Sequence, residues 1–253
     1  MLNTSSFRMM ATIKLLSRAV LLSVMALTTI PVRAADTEKD FTPLFNGKDL
    51  TGWDGDSKFW SVQDGMIVGE TTKETPAPHN TFLIYKGTGD SPKTFADFEL
   101  HAKFKLRNHN SGIQYRSKEL PDHVMTGYQA DIAEGQPSKY TGILYEEKAR
   151  GILAERGQKV TIDEAGKKTV EKFADAKELG DAINMSEWND YVVIAKGNHL
   201  TEIINGKMTV DATDNDPAKS ARVGLIGLQI HAGPAMKVEF KDISIKEFKE
   251  EGK

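Results

Sequence analysis

"DFELHAKFKLR", Asp97 to Arg107, sets the register from which the rest of the chain can be read. Phe98, Leu100, Ala102, Phe104 and Leu106 alternate with Glu99, His101, Lys103, Lys105 and Arg107. A repeat of two places the apolar set on one face and the charged set on the other, as in an antiparallel strand with one face on a core and one in water. On either side, the same reading predicts strands at Phe59–Val62, Met66–Glu70, Thr81–Tyr85, Ser111–Arg116, Tyr128–Ile132 and Gly142–Glu146. Five more follow at Tyr191–Lys196, His199–Ile204, Lys207–Asp211, Arg222–His231 and Met236–Phe248. Asp64-Gly65 and Asn205-Gly206 supply the positive φ of tight hairpin turns. In the last segment Met236, Val238 and Phe240 give way to Ile243 and Ile245, and the change of parity predicts a bulge.

Many short strands divided by turns, with few helices, predict one all-β domain over 41–248: a two-sheet antiparallel jelly-roll sandwich. One stretch breaks the rhythm. Residues 147–184 are charged, punctuated by glycine and weakly helical near Ala174–Leu179, and are expected to form a long insertion at the sandwich rim, a lid or a solvated loop.

The first 34 residues read differently. Arg8, Lys14 and Arg18 precede the apolar run Ala19–Ile30, and "PVRA" ends in small residues, so 1–34 is expected to be a secretory signal peptide cut after Ala34 or Ala35. Twelve apolar residues are too few to cross a bilayer of roughly 30 Å as a helix. Residues 35–40 then form a linker and 249–253 a tail. The chain has no cysteine, which excludes a lipid anchor at the cleavage site and implies an exported fold without disulfides, in a bacterial periplasm or at a cell surface. Without the four basic residues of the signal the chain carries 29 Lys and Arg against 36 Asp and Glu, a net −7. That balance sets aside nucleic acid and anionic membrane as partners.

Parity then identifies candidate site residues. In "GLQIHAG" (Gly227–Gly233), Gln229 and His231 share the face opposite Leu228 and Ile230. "NSGIQYRS" offers Gln114 and Arg116, "GYQADI" offers Gln129 and Asp131, and "GILYEE" offers Glu146. Seven polar side chains on separate strands are expected to line one hollow, where amides pair with hydroxyls and Arg forks onto oxygens. Trp53, Trp60, Tyr115 and Tyr145 could stack on sugar faces, with core packing the stronger reading for the tryptophans. Arg116 could instead simply bridge Asp131 on a solvated face. Gly224, Gly227 and Gly233 are read as leaving room for a ligand beside His231, whereas His79, His101, His109, His123 and His199 are read as structural or exposed. His231 suits a general base near neutral pH. Its rival role is metal ligation, with Asp131 and Glu146 as partners for a divalent ion, although no spaced metal motif occurs and no cofactor is expected.

Nucleophilic motifs are missing: there is no Cys, no Gly-x-Ser-x-Gly and no phosphate-cradling glycine loop. "QADIAE" (Gln129–Glu134) matches the Glu-x-Asp-x-x-Glu spacing of jelly-roll glycosidases, but Gln129 stands where the attacking carboxylate belongs. An amide cannot form a covalent glycosyl intermediate.

"FTPLFNGKDLTGW", "NSGIQYRS", "GYQADI", "GILYEE", "EWNDYVV", "IINGK" and "GLIGLQIHAG" together resemble the 3-keto-disaccharide hydrolase domain family from about Phe41 to Phe248. The resemblance implies a concanavalin-like or laminin-G-like sandwich, with the stretch after Glu147 longer than in shorter members. It also implies cleavage of a glycoside whose sugar carries a ketone at C3, an oxidised saccharide of low molecular weight. That ketone acidifies the C2 proton, so a base can remove it, the C1 oxygen can leave, and water can add to the enone. On this reading His231 is the C2 base with Asp131 the runner-up, Arg116 with Gln114 or Gln229 steadies the enolate, and Glu146 protonates the leaving oxygen. Gln114, Gln129, Gln229 and Tyr145 would bind substrate. A non-catalytic carbohydrate-binding module is the alternative.

Overall fold

The alternation of Phe98–Arg107 is met in full: its five apolar side chains are buried and the polar ones between them are partly or fully open to water. The computed structural model describes residues 40–135 and 139–249. The expected signal segment, all of the linker but Asp40 and all of the tail but Lys249 lie outside the described residues.

In chain order the strands are β1 (Thr42–Pro43), β2 (Trp53–Asp54), β3 (Trp60–Gln63), β4 (Met66–Glu70), β5 (Thr81–Tyr85) and β6 (Phe98–Arg107). There follow β7 (Asn110–Leu120), β8 (Val124–Ala133), β9 (Leu144–Glu147), β10 (Gly151–Ala154), β11 (Gln158–Ile162) and β12 (Lys168–Lys172). Helix α1 (Ala176–Asp181) precedes β13 (Asn189–Lys196), β14 (His199–Ile204), β15 (Lys207–Asp214), β16 (Leu225–Ile230) and β17 (Lys237–Glu247).

They form two sheets. The larger runs β12-β11-β15-β14-β13-β6-β17-β4-β3, with β1 against β17; the smaller runs β10-β9-β8-β7-β16-β5-β2. Every pairing is antiparallel except that of β11 with β15. The apolar faces of the two sheets meet in one core, threaded by a run of rings from Tyr85 through Phe95, Phe98 and Tyr115 to Tyr128, with centroids 5.7–6.3 Å apart. Trp53 and Trp60 belong to that core, so neither is a stacking platform.

The turns behave as their residues require. Asn205 and Gly206 have φ of 50° and 75°, and Asp64 and Gly65 have 49° and 75°, the doubly positive pair of a two-residue hairpin. The expected bulge in β17 falls between Lys241 and Ser244, where Asp242 takes a φ of 51°.

The stretch 147–184 is built differently from the expected rim loop. It adds β10 to the margin of the smaller sheet and β11 and β12 to the margin of the larger one. Val160 and Ile162, alternating in β11, reach the core together with Leu153, Ala154 and Ile183, and these anchor a segment otherwise rich in charge. Helix α1 lies where weak helicity was expected, capped by Asp175, whose carboxylate accepts from the Lys177 and Glu178 amides. All five residues of β12 are exposed, and Lys168 Nζ donates to the Ile152 carbonyl of β10 at 2.5 Å. Among the described residues no helix is long and apolar enough to cross a membrane.

Candidate active site

Cross-strand register assembles the site. Reading across the smaller sheet, Ile152 of β10 stands opposite Tyr145 of β9, Tyr145 opposite Gln129 of β8, Gln129 opposite Gln114 of β7, and Gln114 opposite Gly227 of β16. These residues share the outer face, because their neighbours Tyr115, Tyr128 and Leu228 point into the core. In the next row Asp131 stands opposite Gly112, and Gln229 follows the Leu228–Ile113 pair. A cleft of about 390 Å³ opens over this face. Asn80, Asn110, Gln129, Asp131, Gln229 and His231 form most of its polar lining. Ile143, Ile152, Tyr140 and Tyr145 form its apolar side, with Glu147 between the two.

A chain of hydrogen bonds sets the direction of each amide. Ser117 Oγ donates to Gln114 Oε1 at 2.5 Å, Gln114 Nε2 to Gln129 Oε1 at 2.8 Å, and Gln129 Nε2 to Asp131 Oδ1 at 2.8 Å. The same Gln129 Nε2 reaches Gln229 Oε1 at 3.4 Å, which turns Gln229 Nε2 the other way. That nitrogen is fully buried without a partner, and so is Asn110 Oδ1. Among the described residues the cleft therefore holds a buried donor and a buried acceptor without partners, able to meet a carbonyl and a hydroxyl of a ligand.

Asp131 and His231 stand on opposite sides of this lining. Burial pushes the Asp131 carboxyl from 3.8 up to about 7, against the opposing pull of the Gln129 and Asn110 amides and with a further push from Glu147. Among the described residues no Lys or Arg lines the cleft to counter this. His231 Nδ1 lies 2.7 Å from the Ala232 carbonyl, which can only accept, so Nδ1 carries a proton and the ring's orientation is fixed. His109 donates through Nε2 to the same carbonyl at 2.9 Å and packs edge-on against His231, with centroids 4.6 Å apart.

Of the sequence-derived residues, Asp131, His231, Gln129, Gln229 and Tyr145 meet in the cleft. Gln114 lies beneath them, fully buried, and orients Gln129 rather than lining the surface. Arg116 is elsewhere. It takes a φ of 46° at a break in the β7–β8 register, which swings its side chain off the outer face. Its guanidinium is bound by the Ala96, Gly197 and Ala221 carbonyls and by Asp97 Oδ1 at 2.9 Å, so it steadies no substrate oxygen. Glu146 also points away. It pairs with inward-facing Tyr128, and Arg150 clamps it at 2.5 Å while also binding Asp214. The divalent-ion site imagined for Asp131, Glu146 and His231 is therefore not formed, and among the described residues no three His, Asp or Glu side chains group as metal ligands. The glycines around His231 admit protein atoms: a Cβ would overlap the Met125 sulfur at Gly227, the His109 ring at Gly233 and the Arg116 backbone at Gly224.

His109, read from the sequence as structural or exposed, packs against His231, whereas Asn80, Asn110 and Glu147 escaped that reading. Two of them carried a signal. Glu147 has the parity of Tyr145, and Asn110 has that of Gln114.

A jelly-roll sandwich whose smaller sheet carries a cleft of amides and carboxylates is the build of a carbohydrate-active protein. The chain belongs to the 3-keto-alpha-glucoside-1,2-lyase-like domain family, whose model matches residues 40–246. Among solved structures it is similar to a candidate glycosyl hydrolase from Parabacteroides distasonis, with TM-score 0.54 and 21% identity over 83% of this chain and 95% of that one. It is also similar to a Bacillus subtilis protein of unknown function with a galectin-like fold, with TM-score 0.53 and 12% identity over 82% of this chain and 94% of that one. At these identities the likeness is one of fold. Comparison with curated proteins found no match.

Proposed function

We propose that this protein cleaves 3-keto-α-glucosides by elimination across C1 and C2, with water then adding to the enone to complete net hydrolysis. The observation that carries the reading is the buried, unpartnered Gln229 Nε2 in a cleft with Asp131, whose carboxyl is raised to about 7, and His231, whose Nδ1 donates to the Ala232 carbonyl. His231 Nε2 removes the C2 proton, and the C2–H electrons form an enolate whose negative charge rests on the C3 oxygen. Gln229 Nε2 donates to that oxygen, taking alone the role first given to Arg116 with Gln114 or Gln229. The enolate collapses, the C1–O bond breaks, and Asp131 protonates the departing oxygen, in the role first given to Glu146. One alcohol and one 1,2-unsaturated 3-keto sugar result, and atoms balance.

In an α-glucoside chair the C2 hydrogen and the C1 oxygen are trans-diaxial, so base and acid must act from opposite faces of the ring. Asp131 stands on β8 and His231 follows β16, with β7 between them. Two strand spacings separate those backbones by roughly 10 Å, room for a sugar ring standing edge-on. The Glu-x-Asp-x-x-Glu likeness fits this chemistry too, because elimination needs no attacking carboxylate at Gln129. The N-terminal sequence supports an exported site of action.

The test is incubation of the protein with methyl 3-keto-α-glucoside while enone absorbance and methanol release are followed. His231→Ala and Asp131→Asn are each expected to lose about 10²–10⁴ in kcat, as for removal of a general base or acid. Full activity in His231→Ala overturns the assignment of the base. Saturable binding without product favours the second reading, a saccharide-binding module, which the amide-rich lining of Asn80, Asn110, Gln129 and Gln229 would also serve.

A further inference from the structure

The cleft is divided. Its β7, β8 and β16 side presents Asn110, Gln129, Asp131 and Gln229, whereas its β9 and β10 side presents Tyr145 and Ile152, with Ile143 and Tyr140 from the segment leading into β9. The division follows from register: Ile152 is the direct cross-strand neighbour of Tyr145, which in turn faces Gln129. Ile152 and Tyr140 are 36% and 40% exposed, large apolar groups left in water at the edge of an otherwise polar recess. Single exposed apolar residues need no explanation, but two that share a cleft wall with a half-buried tyrosine mark a contact surface.

We propose that this wall is a subsite for the group attached at C1, and that it takes a flat apolar aglycone, an aryl or arylmethyl group, in preference to a second sugar. The proposal rests on the reading of the polar half as the site of the oxidised ring. A sugar aglycone would bring several hydroxyls that each need a partner, and this wall offers few. Among the described residues the lining on this side offers two phenol oxygens and Glu147, whose Oε1 already accepts from Asn80 Nδ2 at 3.2 Å. The Lys168 ammonium beside it is taken by the Ile152 carbonyl, and Lys139 lies over the Tyr140 ring. An aromatic ring needs none, and buries its faces against Tyr145 and Ile152.

The experiment compares the benzyl, methyl and glucosyl 3-keto-α-glucosides as substrates. Benzyl alcohol and methanol have nearly equal acidity as leaving groups, so their comparison reports binding rather than chemistry. The expected result is a kcat/KM about tenfold or more higher for the benzyl glycoside, carried by KM, since burial of one ring in an apolar wall is worth at least that. The benzyl-to-methyl ratio should fall toward one in Ile152→Ser. Turnover of all three without that ratio, or a preference for the glucosyl compound, overturns the subsite and leaves the elimination reading standing. Should no 3-keto-α-glucoside turn over, the elimination reading fails, and calorimetric titration with benzyl and methyl α-glucoside judges the subsite alone: tighter benzyl binding upholds it and equal binding overturns it.

Discussion

Asp131 is held in two roles by one environment. Its carboxyl, buried in the smaller sheet without a cation beside it, rises to about 7. Because the folded form holds the proton more tightly than the unfolded chain, Asp131 adds stability that is complete below about pH 4 and lost as pH climbs through 7. Asp131→Asn removes that dependence. The variant should therefore gain melting temperature relative to the parent at pH 8.5 and show little gain at pH 5, as thermal melts at the two pH values would reveal. An acid-shifted gain, or none, would show the carboxyl to be ionised in the folded state at neutral pH. Asp131 was legible because its parity is unambiguous. Glu146 was misread because Tyr145 and Glu146 are adjacent and cannot share a face; with Tyr145 against Gln129, the carboxylate of the cleft had to be Glu147.

Strand β7 shows what local pattern reveals and where it stops. Asn110, Gly112 and Gln114 keep strict alternation on the outer face, and Gly112 is small for a reason: a Cβ there would lie 2.6–2.8 Å from the Gln129 side chain, which crosses over it. Gly112→Ala is expected to cost about 1–3 kcal/mol by overpacking. It should also lower kcat/KM about tenfold, by turning Gln129 away from Asp131 and Gln229. Denaturant unfolding and steady-state kinetics on one preparation would check both. If stability falls while kcat/KM holds, Gln129 does not position the site. Two residues further on the alternation fails, because the positive φ of Arg116 turns the strand. No composition signal announces that turn. Arginine is not a residue that favours positive φ, and the bonds that hold it there come from Ala96, Gly197 and Ala221, all distant in sequence. The fold was readable from period and turn residues, which are local. Gln229 was named from its parity, but the direction of its amide was not readable, because that depends on a bond between strands 100 residues apart.

The two sheets are joined at their centre by more than apolar contact. Glu202 of β14 is fully buried in the row of Leu200 and Ile204, and accepts from the Tyr191 hydroxyl at 2.8 Å and the Tyr115 hydroxyl at 3.3 Å. Burial raises its carboxyl well above the usual range, which favours the neutral acid between two phenols, one from each sheet. Glu202→Gln, which keeps shape and acceptor, should change stability by less than about 1 kcal/mol at pH 7. Glu202→Ala should cost about 2–4 kcal/mol through the cavity and two unpaired hydroxyls. Equal losses in urea unfolding would mean that a charged carboxylate, not a neutral one, sits there. The margins of the same sheets behave differently. Lys168 stands at one end of β12 and spends its ammonium on the carbonyl of Ile152 in β10, so one side chain guards the last strand of both layers. A neighbouring molecule seeking to extend either layer would have to strip water from that cation and from Glu171 and Lys172 beside it. The sandwich thereby resists edge-to-edge pairing along this margin, the usual hazard of an unpaired strand.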